Sequence, residues 1–429
     1  MPPQSPAVKR AAAATLAVMC IAVSTVLPAQ SVTAFTGITL IDGTGGAPVS
    51  NATLVVRDGR VLAAGPSARV TIPAGATRVA LNGKTVIPGL VNAHGHVNTP
   101  DDLATYAAYG VTTVYSLGGE PASVFAARRA QRQSATGATG GAAAGGSRYA
   151  RVYAAGPVLT PTSADDARAQ VTAAAAQQVD IIKIRVDDNL GTAPKMTPDV
   201  YRAVIREAHA RNQRVAVHFY YLSDAKDLLD AGADFMAHSV RDLPVDAAFV
   251  SALKTSGHCY SPTLMREVST FVYDTTPAFF ADSQFLAHAN RQWMATVQEP
   301  ARQQAMRSSA SGQRYKAQLP VAMRNLKALA GAGVPIAMGT DTGPVGRFQG
   351  YFELMELEMM VDAGLTPQQV LTSATRDAAR CMQIDRDVGT LEAGKWADFV
   401  VLNASPLEKI SNVRRQHSVW IGGVRVPTP

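Results

Sequence analysis

Two histidines one residue apart, His94 and His96, close an apolar run that begins at Val86. Residues two apart on a strand point to the same side, so both imidazoles can face one ion. Gly95 between them leaves room for the backbone to lie close to it. A lone His-x-His is as readily a packed or surface pair. Two further histidines end short β-like runs: His218 follows Arg214-Val215-Ala216-Val217, and His238 follows Asp234-Phe235-Met236-Ala237. Lys183 stands alone in Ile181-Ile182-Lys183-Ile184-Arg185, where alternation turns it away from Ile182 and Ile184. A buried lysine without a partner tends to give up its proton, and the free amine can add carbon dioxide to form a carbamate with two ligating oxygens. The alternative is a stem that crosses the core and carries its ammonium to solvent. Asp341 ends Pro335-Ile336-Ala337-Met338-Gly339-Thr340. A carboxylate there can hold a metal and take a proton, or serve as a turn residue or helix cap. Each of the six is ambiguous alone. Together, at the ends of strand-like runs, they supply ligands for two divalent ions, and zinc suits such donors. His209 falls on a helical pattern, and His258, His288 and His417 read as structural or exposed.

Such ends need a frame to bring them together. Strand candidates run through Ile87–Leu90, Thr112–Ser116, Val152–Ala155, Ile181–Val186, Val215–His218, Phe235–His238, Cys259–Thr263 and Pro335–Met338. Helical patterns at 167–178, 198–211 and 223–231 lie between them. Eight strand–helix units over residues 87–386 predict an α/β fold, a (β/α)8 TIM-like barrel, whose strand C-termini carry catalytic groups. Residues 31–86 and 387–429 are rich in short strands and turns, Asp58-Gly59 among them. They predict a small β-sandwich domain built from both chain ends. A helical insertion is expected over 266–316, and a flexible Gly/Ala/Ser/Thr loop over 134–147.

The composition, 47% hydrophobic and 17% charged, excludes a disordered chain. A net charge of +7 without basic runs argues against a nucleic-acid partner. Lys9-Arg10, the apolar stretch 11–27 and Pro28-Ala29-Gln30 have the parts of a secretory signal peptide over 1–30. A periplasmic or secreted protein is expected, with no transmembrane domain in the mature chain. Cys259 and Cys381 would remain after cleavage; two buried thiols are expected, with a bridge as the alternative.

These residues resemble the metal-dependent amidohydrolase superfamily, more narrowly its imidazolonepropionase-like and prolidase-like branch. The resemblance is carried by Val86-Ile87-Pro88-Gly89-Leu90-Val91-Asn92-Ala93-His94-Gly95-His96, the strand around Lys183, and His218 with His238. Met338-Gly339-Thr340-Asp341-Thr342-Gly343 and Leu391-Glu392-Ala393-Gly394-Lys395-Trp396-Ala397-Asp398 complete it. It implies that His94 and His96 hold one ion and His218 and His238 a second, bridged by carboxylated Lys183. Asp341 would ligate the first ion and act as base and acid, while a hydroxide between the ions attacks a polarised carbonyl. Asn92 departs from the resemblance, because many relatives carry Asp there.

Substrate identity is not written in such motifs. Tyr220 and Tyr221, just after His218, could bond a substrate oxygen. Arg241 could receive a carboxylate, or pair with Asp242 at the surface. A cationic anchor favours a small-molecule substrate with a carboxylate, a dipeptide or N-acyl amino acid. A lactone, ester or phosphotriester substrate would use the same metals without needing the anchor. A non-catalytic binding protein is the remaining alternative, and the sequence is open to a homo-oligomer.

Overall fold

The computed structural model describes residues 1–3, 32–135 and 147–427. The predicted signal peptide after residue 3 and most of the Gly/Ala-rich loop lie outside the described residues. Five strands come first: β1 (Val32–Leu40), β2 (Val49–Arg57), β3 (Arg60–Pro66), β4 (Thr77–Ala80) and β5 (Thr85–Pro88). Asp58 and Gly59 join β2 to β3 with φ of 49° and 80°, the mirror-image turn that a two-residue hairpin requires. Eight short strands follow: β6 (Leu90–Gly95), β7 (Val111–Ser116), β8 (Arg151–Ala154), β9 (Val158–Leu159), β10 (Ile182–Arg185), β11 (Val215–His218), β12 (Phe235–Met236) and β13 (Cys259–Tyr260). The chain ends with β14 (Phe399–Leu402), β15 (Gln416–Ile421) and β16 (Val424–Arg425).

The two chain ends do meet, but in one hydrogen-bonded sheet of order β16-β15-β14-β5-β1-β2-β3, with β4 on β1, where a two-sheet sandwich is expected. The run Val86–Val91 is divided rather than continuous. Ile87 and Pro88 pair antiparallel with Val400 and Phe399 of β14, and the first parallel strand starts at Leu90 instead of Ile87. Gly89 is the joint. A Cβ there would stand 2.0 Å from the Thr112 hydroxyl, so only glycine lets the chain cross between the sheets so closely.

The middle of the chain forms two parallel sheets, β6-β7-β8 and β9-β10-β11-β12-β13. The expected eighth strand, Pro335–Met338, forms only isolated bridges, yet its backbone bonds both sheets. Ala337 donates to Tyr260 of β13, and Ala93 of β6 donates to Met338. Within each of these sheets a helix lies between successive strands, as the right-handed crossover requires. The helix Pro198–His209 shows how: Thr197 precedes a proline in its first turn, Asp199 favours the N-terminus, and Val200, Ala203, Val204 and Ala208 form the buried stripe. Alternate strand residues feed two apolar layers. Ile182 and Ile184 pack with Val200 and Val204, whereas Ile181 joins Phe235, Ala337 and Val91. Lys183 therefore shares the side of Ile181, as the alternation predicts.

The insertion after β13 is helical, from Leu264–Val268 to the long helix Ala310–Gly331. Cys259, at the start of β13, is bonded to Cys381 at the end of the helix Arg376–Cys381. This corrects the expectation of free thiols: strand and helix lie side by side in the fold, a proximity that 122 residues of separation conceal. No helix among the described residues is long and apolar enough to cross a membrane.

Candidate metal centre

The expected ligands gather where the parallel strands end. One donor atom from each of His94, His238 and Asp341 lies within 4.8 Å of the others, and all three side chains are buried. The Asp341 Oδ1 oxygen is 2.8 Å from His96 Nε2 and 3.4 Å from His94 Nε2. His94 Nδ1 lies 2.7 Å from the Ala237 carbonyl oxygen, and His96 Nδ1 lies 2.8 Å from that of Gly118. A carbonyl oxygen only accepts, so each Nδ1 carries a proton. Burial, with the Lys183 charge, pulls His94 down to about 4 and keeps it neutral. Its Nε2 lone pair thus faces a carboxylate oxygen, two acceptors turned towards one another. This donor set fits a cation.

Lys183 is buried, and its Nζ makes no hydrogen bond among the described residues. Burial lowers its pKa to about 7, against a smaller opposing pull from Asp341. Burial by itself would raise the Asp341 carboxyl, but the Arg347 guanidinium and His94 outweigh it and hold it well below the ordinary range. Arg347 Nη1 is 2.5 Å from Asp341 Oδ2, and its Nε donates to Ser269. Nothing in the sequence pattern pointed to Arg347.

His218 is placed beside His238, with ring centres 4.2 Å apart, but its Nε2 is engaged elsewhere. It donates to Asp187 Oδ2 at 2.6 Å, and Asp187 also takes the Arg185 guanidinium. Burial lowers His218 to about 3, so a neutral ring donates to an ionised carboxylate. Asp187 lies four residues after Lys183, past the end of β10, where its loop setting hid it. His238 Nδ1 is 2.8 Å from the Thr263 hydroxyl.

The three expected substrate contacts fare differently. Tyr221 donates to Asp188. The ring of Tyr220 is buried and stacks edge-on against Tyr221, with Arg241 over its face. Arg241 is wholly buried, which removes both readings made of it. Its Nε faces Glu267 at 3.1 Å and its Nη1 donates to the carbonyls of Phe219 and Ser239, so it is neither a surface partner of Asp242 nor an open fork for a ligand. Asp242 accepts the Leu222 N–H instead. Arg266 also pairs with Glu267, and its charge bears on His218. Two guanidiniums therefore share one carboxylate beside the centre. A cavity of about 570 Å³, lined by Arg185, Asp187, Asn189 and Lys195 among others, opens past the ends of β9 and β10.

Residues 85–426 match the model of the amidohydrolase family. The chain belongs to that family, hydrolases acting on carbon–nitrogen bonds. The imidazolonepropionase of Streptomyces coelicolor is 26% identical over 88% of this chain and 92% of its own length. That of Shouchella clausii is 34% identical, but the match spans only 19% of this chain and 18% of that protein. A Xaa-Pro dipeptidase solved with methionine in its active site shares the fold, with a TM-score of 0.72 at 19% identity over 92% of this chain and 99% of that one.

Proposed function

We propose that this amidohydrolase is a (β/α)8-barrel enzyme that uses two divalent ions, zinc the expected one, to cleave the amide bond of a dipeptide or N-acyl amino acid. The convergence of His94, His96, His238 and Asp341 beside the unpartnered Lys183 amine carries the reading. His94, His96 and Asp341 would hold one ion, His238 and His218 the other, and Lys183, as its carbamate, would bridge them. Ions held there would polarise a carbonyl and make water more acidic. Asp341 is kept ionised and can accept a proton and return it to a departing nitrogen. The Nδ1–H bonds to Ala237 and Gly118 fix the tautomers of His94 and His96. Arg347 and Ser269 steady the Asp341 carboxylate.

The surplus positive charge of Arg241 and Arg266 over Glu267 supports a substrate carboxylate, a role in which Arg266 replaces Arg241. The dipeptidase of like fold, named for an Xaa-Pro substrate, supports the dipeptide class. The Cys259–Cys381 bond supports export to an oxidising compartment, in keeping with the signal-like N-terminus. A second reading, with one ion on His94, His96, His238 and Asp341, is favoured by the bond from His218 to Asp187. Metal content of the purified chain, measured with hydrolysis of a dipeptide and N-acyl amino acid library, tests the proposal. Two ions per chain with turnover on amides that bear a free carboxylate are expected. No bound metal, or turnover confined to lactones and esters, overturns it.

A further inference from the structure

Two carboxylates have no part in this chemistry. Glu353 and Glu356 are wholly buried on the helix Tyr351–Asp362, three residues apart and so on one face. Their hydrogen bonds run to neutral donors. Burial pushes both carboxyls up, Glu356 to about 8. Buried acids without a counter-cation are costly and persist where the groups they hold offset that cost.

Glu353 Oε1 accepts from Asn92 Nδ2 at 2.7 Å and from the hydroxyls of Thr340 and Thr342 at 2.7 and 2.6 Å. Asn92 Oδ1 in turn accepts the His94 N–H, and Thr340 and Thr342 flank Asp341. Glu356 accepts the N–H groups of Leu264 and Met265 at 2.8 and 2.7 Å, directly after Thr263, whose hydroxyl meets His238. Both gripped segments contain a residue in the left-handed region. Asp341 has φ of 58° and Thr263 has φ of 46°, the latter a strained conformation for a β-branched side chain. Such residues persist only where their surroundings over-determine them, and here those surroundings include the two glutamates.

We propose that Glu353 and Glu356 are positioning residues: one helix holds the strand ends bearing His94, Asp341 and His238 with their donor atoms within 4.8 Å of one another, the spacing the metal centre needs. The inference rests on the metal-hydrolase reading. It also gives Asn92 a role that an aspartate could not fill in the same way, because its Nδ2 donates to Glu353 while its Oδ1 accepts from His94.

The test uses the full chain loaded with Zn²⁺, its affinity read by chelator competition, and with Co²⁺, its visible absorption reporting the ligand field. Glu356→Gln puts an amide donor against a backbone donor. It should weaken Zn²⁺ binding about 10–100-fold and shift the Co²⁺ bands at temperatures where circular dichroism shows a folded chain. Thr263→Val should do the same, and the double variant should lose no more than the larger single loss. If Glu356→Gln does not fold, Glu356→Asp takes its place, and Glu353→Gln tests the other arm with the same signals. A lower melting temperature with unchanged Zn²⁺ affinity and Co²⁺ spectrum, or additive losses in the double variant, overturns the inference alone. A wild-type chain that binds neither ion overturns the hydrolase reading with it.

Discussion

Replacing Cys259 and Cys381 together by alanine removes a covalent tie between the start of β13 and the helix Arg376–Cys381. The bond closes a loop spanning 122 positions. In the chain-entropy treatment, a loop of that size withholds about 16 cal/mol/K from the denatured ensemble, or about 5 kcal/mol at 25 °C. Native-state relaxation reduces this, so a loss of about 2–5 kcal/mol is expected in urea unfolding of the double variant, and a similar loss in the wild type under reductant. Both cysteines are buried, and truncation to alanine removes only a sulfur each, a smaller contribution. Thiol titration in denaturant gives an independent check, because these two residues should contribute no free thiol until reduced. Hydrolysis at 25 °C should survive, since the bond lies at the strand end away from the histidines. An unchanged urea midpoint in both the variant and the reduced protein would refute the argument, as would two reactive thiols in the unreduced chain.

Lys183→Ala should reduce metal content to one ion or none; two ions retained, measured by elemental analysis, would remove the bridge. Asp341→Asn should keep much of the metal and lose more than about a hundredfold in kcat, the range of a general acid–base group, and near-normal turnover would deny it the proton. Arg266→Gln leaves Arg241 to balance Glu267, so KM for N-acyl amino acids should rise about 10–100-fold with little change for carboxyl-capped analogues; equal effects on both would place the anchor elsewhere. The Glu356 carboxyl lies near 8 in the fold, against about 4.5 when exposed. Its folded pKa is raised, so its share of stability is full below about 4.5 and is lost as pH rises through 8, with a ceiling of about 5 kcal/mol. Glu356→Gln should flatten urea midpoints between pH 5.5 and 8.5, and parallel curves for variant and wild type would contradict this.

Strand alternation and the ends of apolar runs made the gathering of His94, His96, His238, Lys183 and Asp341 legible, because both depend on neighbours in the chain. What escaped was set by neighbours in space. Asp187 takes the His218 ring only because the loop after β10 folds over the end of β11. Glu353 and Glu356 sit in a helix whose charges look suited to solvent, yet it is buried at both. Arg241 stands next to Asp242 in sequence, but its carboxylate partner, Glu267, comes from the insertion. The apolar run through Gly89 hid a passage from one sheet to the other, since hydropathy is blind to a change of pairing partner.

Val86 of β5 pairs on one side with Leu40 of β1, but its partner on the other side, Val401 of β14, comes 315 positions later. At ribosomal speeds of 5–20 residues per second, roughly 15–60 s separate the synthesis of the two. During that time β5 exposes an open edge of the kind on which other chains nucleate. A nascent chain stalled short of β14 should therefore be the species that clumps.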